Sequence, residues 1–330
     1  MKAYLVKKYK SPMEAGEAAE PTLGEGDVLV DIHAAGVNLF DAKVRDGDFK
    51  VFLPYKAPFV LGHDLAGVVT RAGSAVTRFS VGDEVYGRVR DGRIGTFAER
   101  IAVHEDDFAR KPASLSMAEA ASVPLVALTA WQTLVERARL QRGQKVLIQA
   151  GSGGVGTYAI QLAKHLGATV ATTTGTSNVE WVRKLGADVV IDYRTQDFEM
   201  AARDYDVVLD SQGGDTLAKS LRILKPGGIA IGIAGPPDPD FARQLGRFSL
   251  RPVMALLSWK TRRATRRRGV RYSFLFMRAN GAHLDEITKL IDSGALRPII
   301  DQTYPFEEAP QALAHVERGR AKGKVAITMV

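Results

Sequence analysis

The chain contains no cysteine. Disulfides, a thiol nucleophile and any metal site built on thiolates are therefore excluded. There is no apolar run of the roughly 18–20 residues that spans a bilayer. The N-terminus, MKAYLVKKYK, has neither the apolar core nor the small-residue cleavage site of a secretory signal, and a cytoplasmic location is the expectation. Acidic residues are missing from one stretch: Lys260, Arg262, Arg263, Arg266, Arg267, Arg268 and Arg271 bring seven positive charges unopposed by any negative one. The net charge is +8, so this segment accounts for most of it and the remainder is nearly balanced. A solvated basic arm is the plain reading. Because the apolar VMALLSW precedes it, contact with an anionic membrane or with nucleic acid is the sharper alternative. No RNA-binding motif with interleaved aromatics accompanies it, so neither a nucleic-acid partner nor stable membrane insertion is expected.

What is present points to two domains, since 330 residues exceed the usual single core. The first 120 residues read as short strands punctuated by glycine; Val28, Val30 and Ile32 alternate with polar neighbours as in a half-buried strand. From about Ser122 the rhythm becomes strand–helix. KVLIQA (145–150), TVATTT (169–174), DVVID (188–192), DVVLD (206–210), IAIGIA (229–234) and YSFLFM (272–277) are strand candidates. Helices are predicted over 155–166, over 179–186 with Gly186 as C-cap, and over 217–224 before a Pro-Gly-Gly turn. This alternation predicts a parallel doubly wound sheet. The tail returns to mixed short elements and ends in the strand KVAITMV. The expected division is a barrel-type β domain from residues 1–121 and 279–330, with the parallel sheet of 122–278 inserted.

Gly151-Ser152-Gly153-Gly154-Val155-Gly156 satisfies G-x-G-x-x-G, directly after an apolar strand and at the start of a helix. In that context the first glycine permits the tight turn, the second admits a pyrophosphate, and the third allows close helix–strand packing. Helix N-terminal N–H groups then face the phosphates. An NAD site usually carries an acid about 20 residues on, at the end of the second strand. Here that strand ends in Thr172-Thr173-Thr174, and Glu180 is expected to form a capping box with Ser177. The missing acid favours NADPH, with Thr174, Ser177 and Asn178 around a 2′-phosphate and Tyr193 flanking the adenine or phosphate.

Four segments carry a wider likeness: GVNLFDAKVRDG (36–47), PFVLGHDLAGVVTRAGSAVTRFSVGDEVYG (58–87), VPLVALTAWQTL (123–134) and AGSGGVGTYAIQLAKHLGA (150–168), with GRAKGKVAI (319–327) closing it. Nearly the whole chain resembles the medium-chain dehydrogenase/reductase superfamily, and within it the zinc-independent quinone oxidoreductase and enone reductase branch. The resemblance implies a GroES-like barrel-type domain plus a Rossmann domain. Zinc alcohol dehydrogenases of the superfamily use three ligands where this chain has Asn38, His63 and Leu125. One imidazole cannot hold a catalytic zinc, so no metal is expected and His63 is read as a hydrogen-bonded residue. The lysine that many NADPH-dependent relatives carry near Ser177 is missing. The resemblance places Asn38, Asp41 and Thr129 near the nicotinamide and the backbone of Phe274 to Phe276 at the carboxamide. It groups Lys324 with the cofactor residues. Asp41 is read equally as catalytic or as a turn residue, and Tyr55 as a proton donor or an aromatic wall.

Without zinc nothing polarises an alcohol strongly. The chemistry left is hydride transfer from NADPH to an electron-poor acceptor, a quinone or an α,β-unsaturated carbonyl. Two competing readings are an alcohol or polyol dehydrogenase of the same fold, and a nucleotide-binding protein whose basic segment contacts RNA or membrane. A homodimer joined through the sixth-strand edge follows by analogy alone.

Overall fold

The computed structural model describes residues 1–329, which form two compact units. One comprises Met1–Leu128 together with the chain from Arg278 onward; the other is Thr129–Met277. These limits differ by a few residues from those expected, because the helix Pro124–Trp131 runs through the point where one unit ends and the next begins.

The first unit is organised by the eleven-residue strand Asp27–Val37. Val28, Val30 and Ile32 point into the core while Leu29 and Asp31 are only half-buried, the period-two pattern of a strand with one inward face. The strand pairs antiparallel with Asp64–Ala72, with Arg100–His104 and with Lys324–Thr328. In the last pairing Val325 lies opposite Val37, so the two ends of the chain share one sheet. Glu84–Arg88 and Phe108–Arg110 extend it on one side and Ile300–Pro305 on the other, making seven strands. A three-stranded sheet of Glu14–Glu17, Lys2–Val6 and Phe59–Val60 accompanies it. Tyr4, Val37, Leu61, Phe97, Leu313 and Ile327 belong to the core cluster of this unit.

The second unit is a six-stranded, all-parallel sheet. Taken in chain order the strands are Lys145–Ile148, Thr169–Thr174, Val189–Asp192, Tyr205–Asp210, Leu224–Gly232 and Arg271–Phe274. Their spatial order is 3-2-1-4-5-6, the dinucleotide-binding arrangement with its topological switch between strands one and four. Strands one and four carry continuous buried apolar runs (Val146, Leu147, Ile148; Val207, Val208, Leu209), as a parallel sheet covered on both faces requires.

Three local expectations are corrected. The Pro-Gly-Gly segment is no free turn: residues 226–228 lie inside the strand Leu224–Gly232, where the register slips between Leu224 opposite Tyr205 and Ile229 opposite Val207. The helix expected over 179–186 is only Val179–Arg183, and Gly186 (φ 108°) sits beyond it in the turn to strand three. Ser177 does not cap that helix. It lies in the 3₁₀ turn Thr176–Asn178, Asn178 is the N-cap, and Glu180 pairs instead with Arg183 at 2.8 Å.

Candidate active site

The turn after Lys145–Ile148 opens the twelve-residue helix Gly154–His165, whose N-cap is Gly153 and which has no side-chain cap. The first-turn N–H groups of Gly154, Val155 and Gly156 are thus left without a capping side chain, a ready anion site. The three motif glycines have different tasks. A Cβ on Gly151 would lie 2.2 Å from Thr172 Oγ1, and one on Gly156 would lie 2.3 Å from the Ala150 carbonyl oxygen. Both positions are closed by packing. A Cβ on Gly153 would meet only Ala150 O at 3.4 Å, so its missing side chain leaves open space beside the bare helix end. The donor set and the space fit a pyrophosphate.

The end of strand two continues the site. Thr174 is buried, and its hydroxyl has no hydrogen-bond partner among the described residues. Ser177 is exposed, and Asn178 Oδ1 accepts from Trp181 Nε1 at 2.9 Å. Parallel pairing sets Thr174 beside Asp192, so the residues after strand three emerge next to Gly175. The Tyr193 hydroxyl lies 3.3 Å and Arg194 Nε 3.5 Å from where a Gly175 Cβ would stand, and the Arg194 guanidinium sits 5.9 Å from the Tyr193 ring centroid. Arg194 thus brings a cation to this corner, where Ser177 has none, and sequence reasoning passed over it. The signal available was its place directly after Tyr193 and a strand expected beside strand two. Asp192 is the acid nearest this corner. Hydrogen bonds from the Thr176 hydroxyl and from the Arg194 N–H hold its carboxyl below the usual range.

The first unit, taken by itself, holds a buried polar cluster. Asn38 directly follows the strand Asp27–Val37 and is the N-cap of the helix Leu39–Asp46. Asp41, at N3, accepts the Asn38 backbone N–H through Oδ2 at 2.8 Å, one half of a capping box. Its other oxygen, Oδ1, accepts from His63 Nδ1 at 2.6 Å, with both side chains fully buried. Asp41 is therefore both a helix cap and the orienter of His63. Burial outweighs the carboxylate and holds the imidazole below its ordinary pKa, neutral. With Nδ1–H given to Asp41, Nε2 carries the lone pair, and the group facing it is the Tyr55 hydroxyl at 3.5 Å. That hydroxyl also reaches the Arg93 carbonyl at 3.3 Å. Burial pushes the phenol up to about 12, and the nearby Arg88 guanidinium opposes the rise. Arg88 is itself buried, with Nη2 on Asp91 and with Nε and Nη1 unpartnered.

The remaining expected residues are placed as follows. Asn38 Nδ2 donates to Asp64 Oδ2 at 2.9 Å, and Asn38 Oδ1 accepts from Lys324 Nζ. Lys324 is buried in this unit, also donating to the Val37 carbonyl at 2.9 Å. Asp64, pushed up by burial to about 6, accepts in addition from the Leu125 N–H at 3.1 Å. Thr129 is buried on the helix Pro124–Trp131. At Phe274–Phe276 several backbone groups are already taken: Phe274 N donates to Asp238, Leu275 N to Gly232 O, and Phe276 O accepts from Gln244.

Residues 24–113 match the alcohol dehydrogenase GroES-like domain family, and residues 185–327 match the zinc-binding dehydrogenase family. A mitochondrial NAD(P)H oxidoreductase of Mus musculus is 36% identical, covering 92% of this chain and 82% of its own length. A chloroplastic NADPH-dependent alkenal/one oxidoreductase of Arabidopsis thaliana is 35% identical over 93% of this chain and 73% of its own. Among solved structures, a quinone oxidoreductase from Coxiella burnetii superposes with a TM-score of 0.88 at 29% identity, covering 100% of this chain and 99% of that one. The chain belongs to the medium-chain dehydrogenase/reductase superfamily. Within this superfamily it falls in the zinc-independent quinone oxidoreductase and enone reductase branch. A catalytic zinc needs three protein ligands. In this member the positions read Asn38, His63 and Leu125, and among the described residues no group of three His, Asp or Glu converges as a metal site. A zinc-ligating histidine typically gives its second nitrogen to a carboxylate. His63 keeps that carboxylate, Asp41, and its other nitrogen, Nε2, faces a phenol.

Proposed function

We propose that this medium-chain reductase uses NADPH to reduce a quinone or an α,β-unsaturated carbonyl, and that it works as a cytoplasmic homodimer. The observation that carries the proposal is the Asp41–His63–Tyr55 arrangement, in which the one surviving ligand position is turned to a phenol. NADPH, when bound, supplies the hydride. The glycine turn and the helix end at Gly154 hold its pyrophosphate. Thr174, Tyr193 and Arg194 receive the 2′-phosphate. For an unsaturated carbonyl, which would gain hydride at its β-carbon, the Tyr55 O–H would supply the proton that the α-carbon requires. His63 and Asp41 position that hydroxyl, and Tyr55, only half-buried, regains its proton from water. Asn38, tied to Asp64 and Lys324, fixes the start of the helix that carries Asp41.

The test is NADPH oxidation screened over quinones, enals and enones, with elemental analysis of the purified protein. Turnover with at least one class and no stoichiometric zinc are expected. Stoichiometric zinc with activity lost on chelation, or alcohol oxidation alone, would refute the reading.

Cofactor choice has its own test. Thr174 is buried, so a charge placed there would disturb the fold as well as the ligand. Arg194 is exposed and separates the two effects. Arg194→Glu is expected to weaken NADPH binding about tenfold or more, the order of one charged contact reversed, with NADH changed by no more than about twofold. Titration by nucleotide fluorescence reads both constants. Equal losses for the two nucleotides would remove Arg194 from the 2′-phosphate site.

A further inference from the structure

The connection between the fifth and sixth strands of the nucleotide-binding unit carries two features that hydride transfer does not use. Its helix Arg251–Leu257 turns Met254 inward and leaves Val253, Leu256 and Leu257 exposed. These are i, i+3 and i+4 positions, so they share one face. Phe248 before the helix is 61% exposed and Trp259 after it 52%, while Leu256 reaches 77%. Contiguous large apolar side chains in water mark an interaction surface on a protein of this kind.

The next helix, Trp259–Arg268, continues the chain with the opposite chemistry. Ala264 and Thr265 face the unit's core, and Lys260, Arg263, Arg266, Arg267 and Arg268 are exposed. Arg263 stands over the Trp259 ring at 5.4 Å from its centroid. None of Lys260, Arg262, Arg263, Arg266, Arg267, Arg268 or Arg271 has an ion-pair partner among the described residues, and no Asp or Glu occurs from Phe241 to Arg271. The segment expected as a plain basic arm is an ordered helix that directly follows an exposed apolar one.

We propose that this surface docks on anionic lipid bilayers, with Val253, Leu256, Leu257 and Trp259 entering the interface and the arginines engaging headgroup phosphates. Charge decides among occupants. A second copy seated on this surface itself, as distinct from a dimer joined elsewhere, would set the all-positive helix against its own counterpart. A nucleic acid would neutralise the arginines but leave the three aliphatic side chains uncovered. An anionic bilayer satisfies both: it accepts apolar side chains a short way into the interface, favours an indole at headgroup depth and attracts the basic helix. No helix among the described residues is long and apolar enough to cross a membrane, so the contact is peripheral.

The test uses the full chain in co-sedimentation with vesicles of phosphatidylcholine alone or with about 30% phosphatidylglycerol. Binding to the anionic vesicles at least about tenfold tighter is expected, with a blue shift of tryptophan emission. Salt at about 0.5 M should release the protein. Arg266→Ser with Arg267→Ser and Arg268→Ser should weaken vesicle binding about a hundredfold and leave NADPH affinity unchanged. Leu256→Ser with Leu257→Ser keeps every charge and should also lose at least about tenfold, which a purely electrostatic contact would not. Three results would overturn the proposal. One is no preference for anionic vesicles. A second is oligonucleotide binding as tight as vesicle binding and indifferent to the leucine substitutions. The third is a dimer that those substitutions dissolve, without vesicle binding.

Discussion

Gly153→Val should abolish NADPH binding while leaving the protein folded, with affinity lost by at least about a hundredfold because a branched side chain occupies the space the pyrophosphate needs. The fold tolerates it for two reasons. Gly153 has φ −85° and ψ 170°, extended backbone open to any residue, and a Cβ there would meet nothing nearer than 3.4 Å. The neighbouring motif glycines provide the contrast. Gly156→Val would drive a side chain into the Ala150 carbonyl, 2.3 Å from the Cβ position, and Gly151→Val into Thr172. Those two should lower the melting temperature, and they lose cofactor for a different reason. Thermal unfolding measured beside nucleotide titration separates the cases. A Gly153→Val protein with wild-type NADPH affinity would remove the phosphate site from this turn. A Gly153→Val protein that fails to fold would show that the open space inferred beside the helix end is not there.

The parts of this protein that were legible in its sequence are those fixed by near neighbours. An apolar strand, a glycine turn and an amphipathic helix all fall within residues 145–165, and each leaves a periodic or compositional mark there. What the sequence concealed was set by pairing across the sheet. Arg194 joins the nucleotide corner only because strand three lies parallel to strand two with Asp192 beside Thr174. The Ser177–Glu180 box looked sound locally and lost to a 3₁₀ turn that made Asn178 the cap. The Pro-Gly-Gly segment was absorbed into a strand edge, its irregularity taken up as a register slip. Likewise Asp41, which local reasoning left balanced between two roles, has both: one oxygen caps its own helix and the other reaches His63, 22 residues away. The helices between residues 251 and 268 gave no periodic signal toward the core, because their large apolar side chains, Met254 apart, face outward.

The second large effect is expected at Tyr55. Delivering a proton to carbon is slow and needs a positioned acid, whereas a hydroquinone oxygen exchanges protons with water freely. Tyr55→Phe keeps the aromatic packing against Phe59, whose ring centroid is 5.7 Å away, and removes only the hydroxyl. It should therefore lower kcat for an enone by about a hundredfold, the usual worth of a general acid, and leave quinone reduction within about threefold. The pH profile follows from burial. A phenol pushed up to about 12 stays protonated through the assay range, and the donor is lost only as pH rises through that value. Enone turnover in the wild type should then be flat from about pH 6 to about pH 9, whereas a histidinium donor would fade as pH rose through about 6.5. Asp41→Asn should act more mildly. It places an amide N–H₂ against His63 Nδ1, which reverses the tautomer and turns an Nε2–H toward the phenol, so the hydroxyl changes from donor to acceptor. An intermediate loss of enone kcat with unchanged affinity for NADPH is the signature of positioning. Full enone turnover in Tyr55→Phe would assign the proton to solvent and leave Tyr55 as part of the aromatic wall.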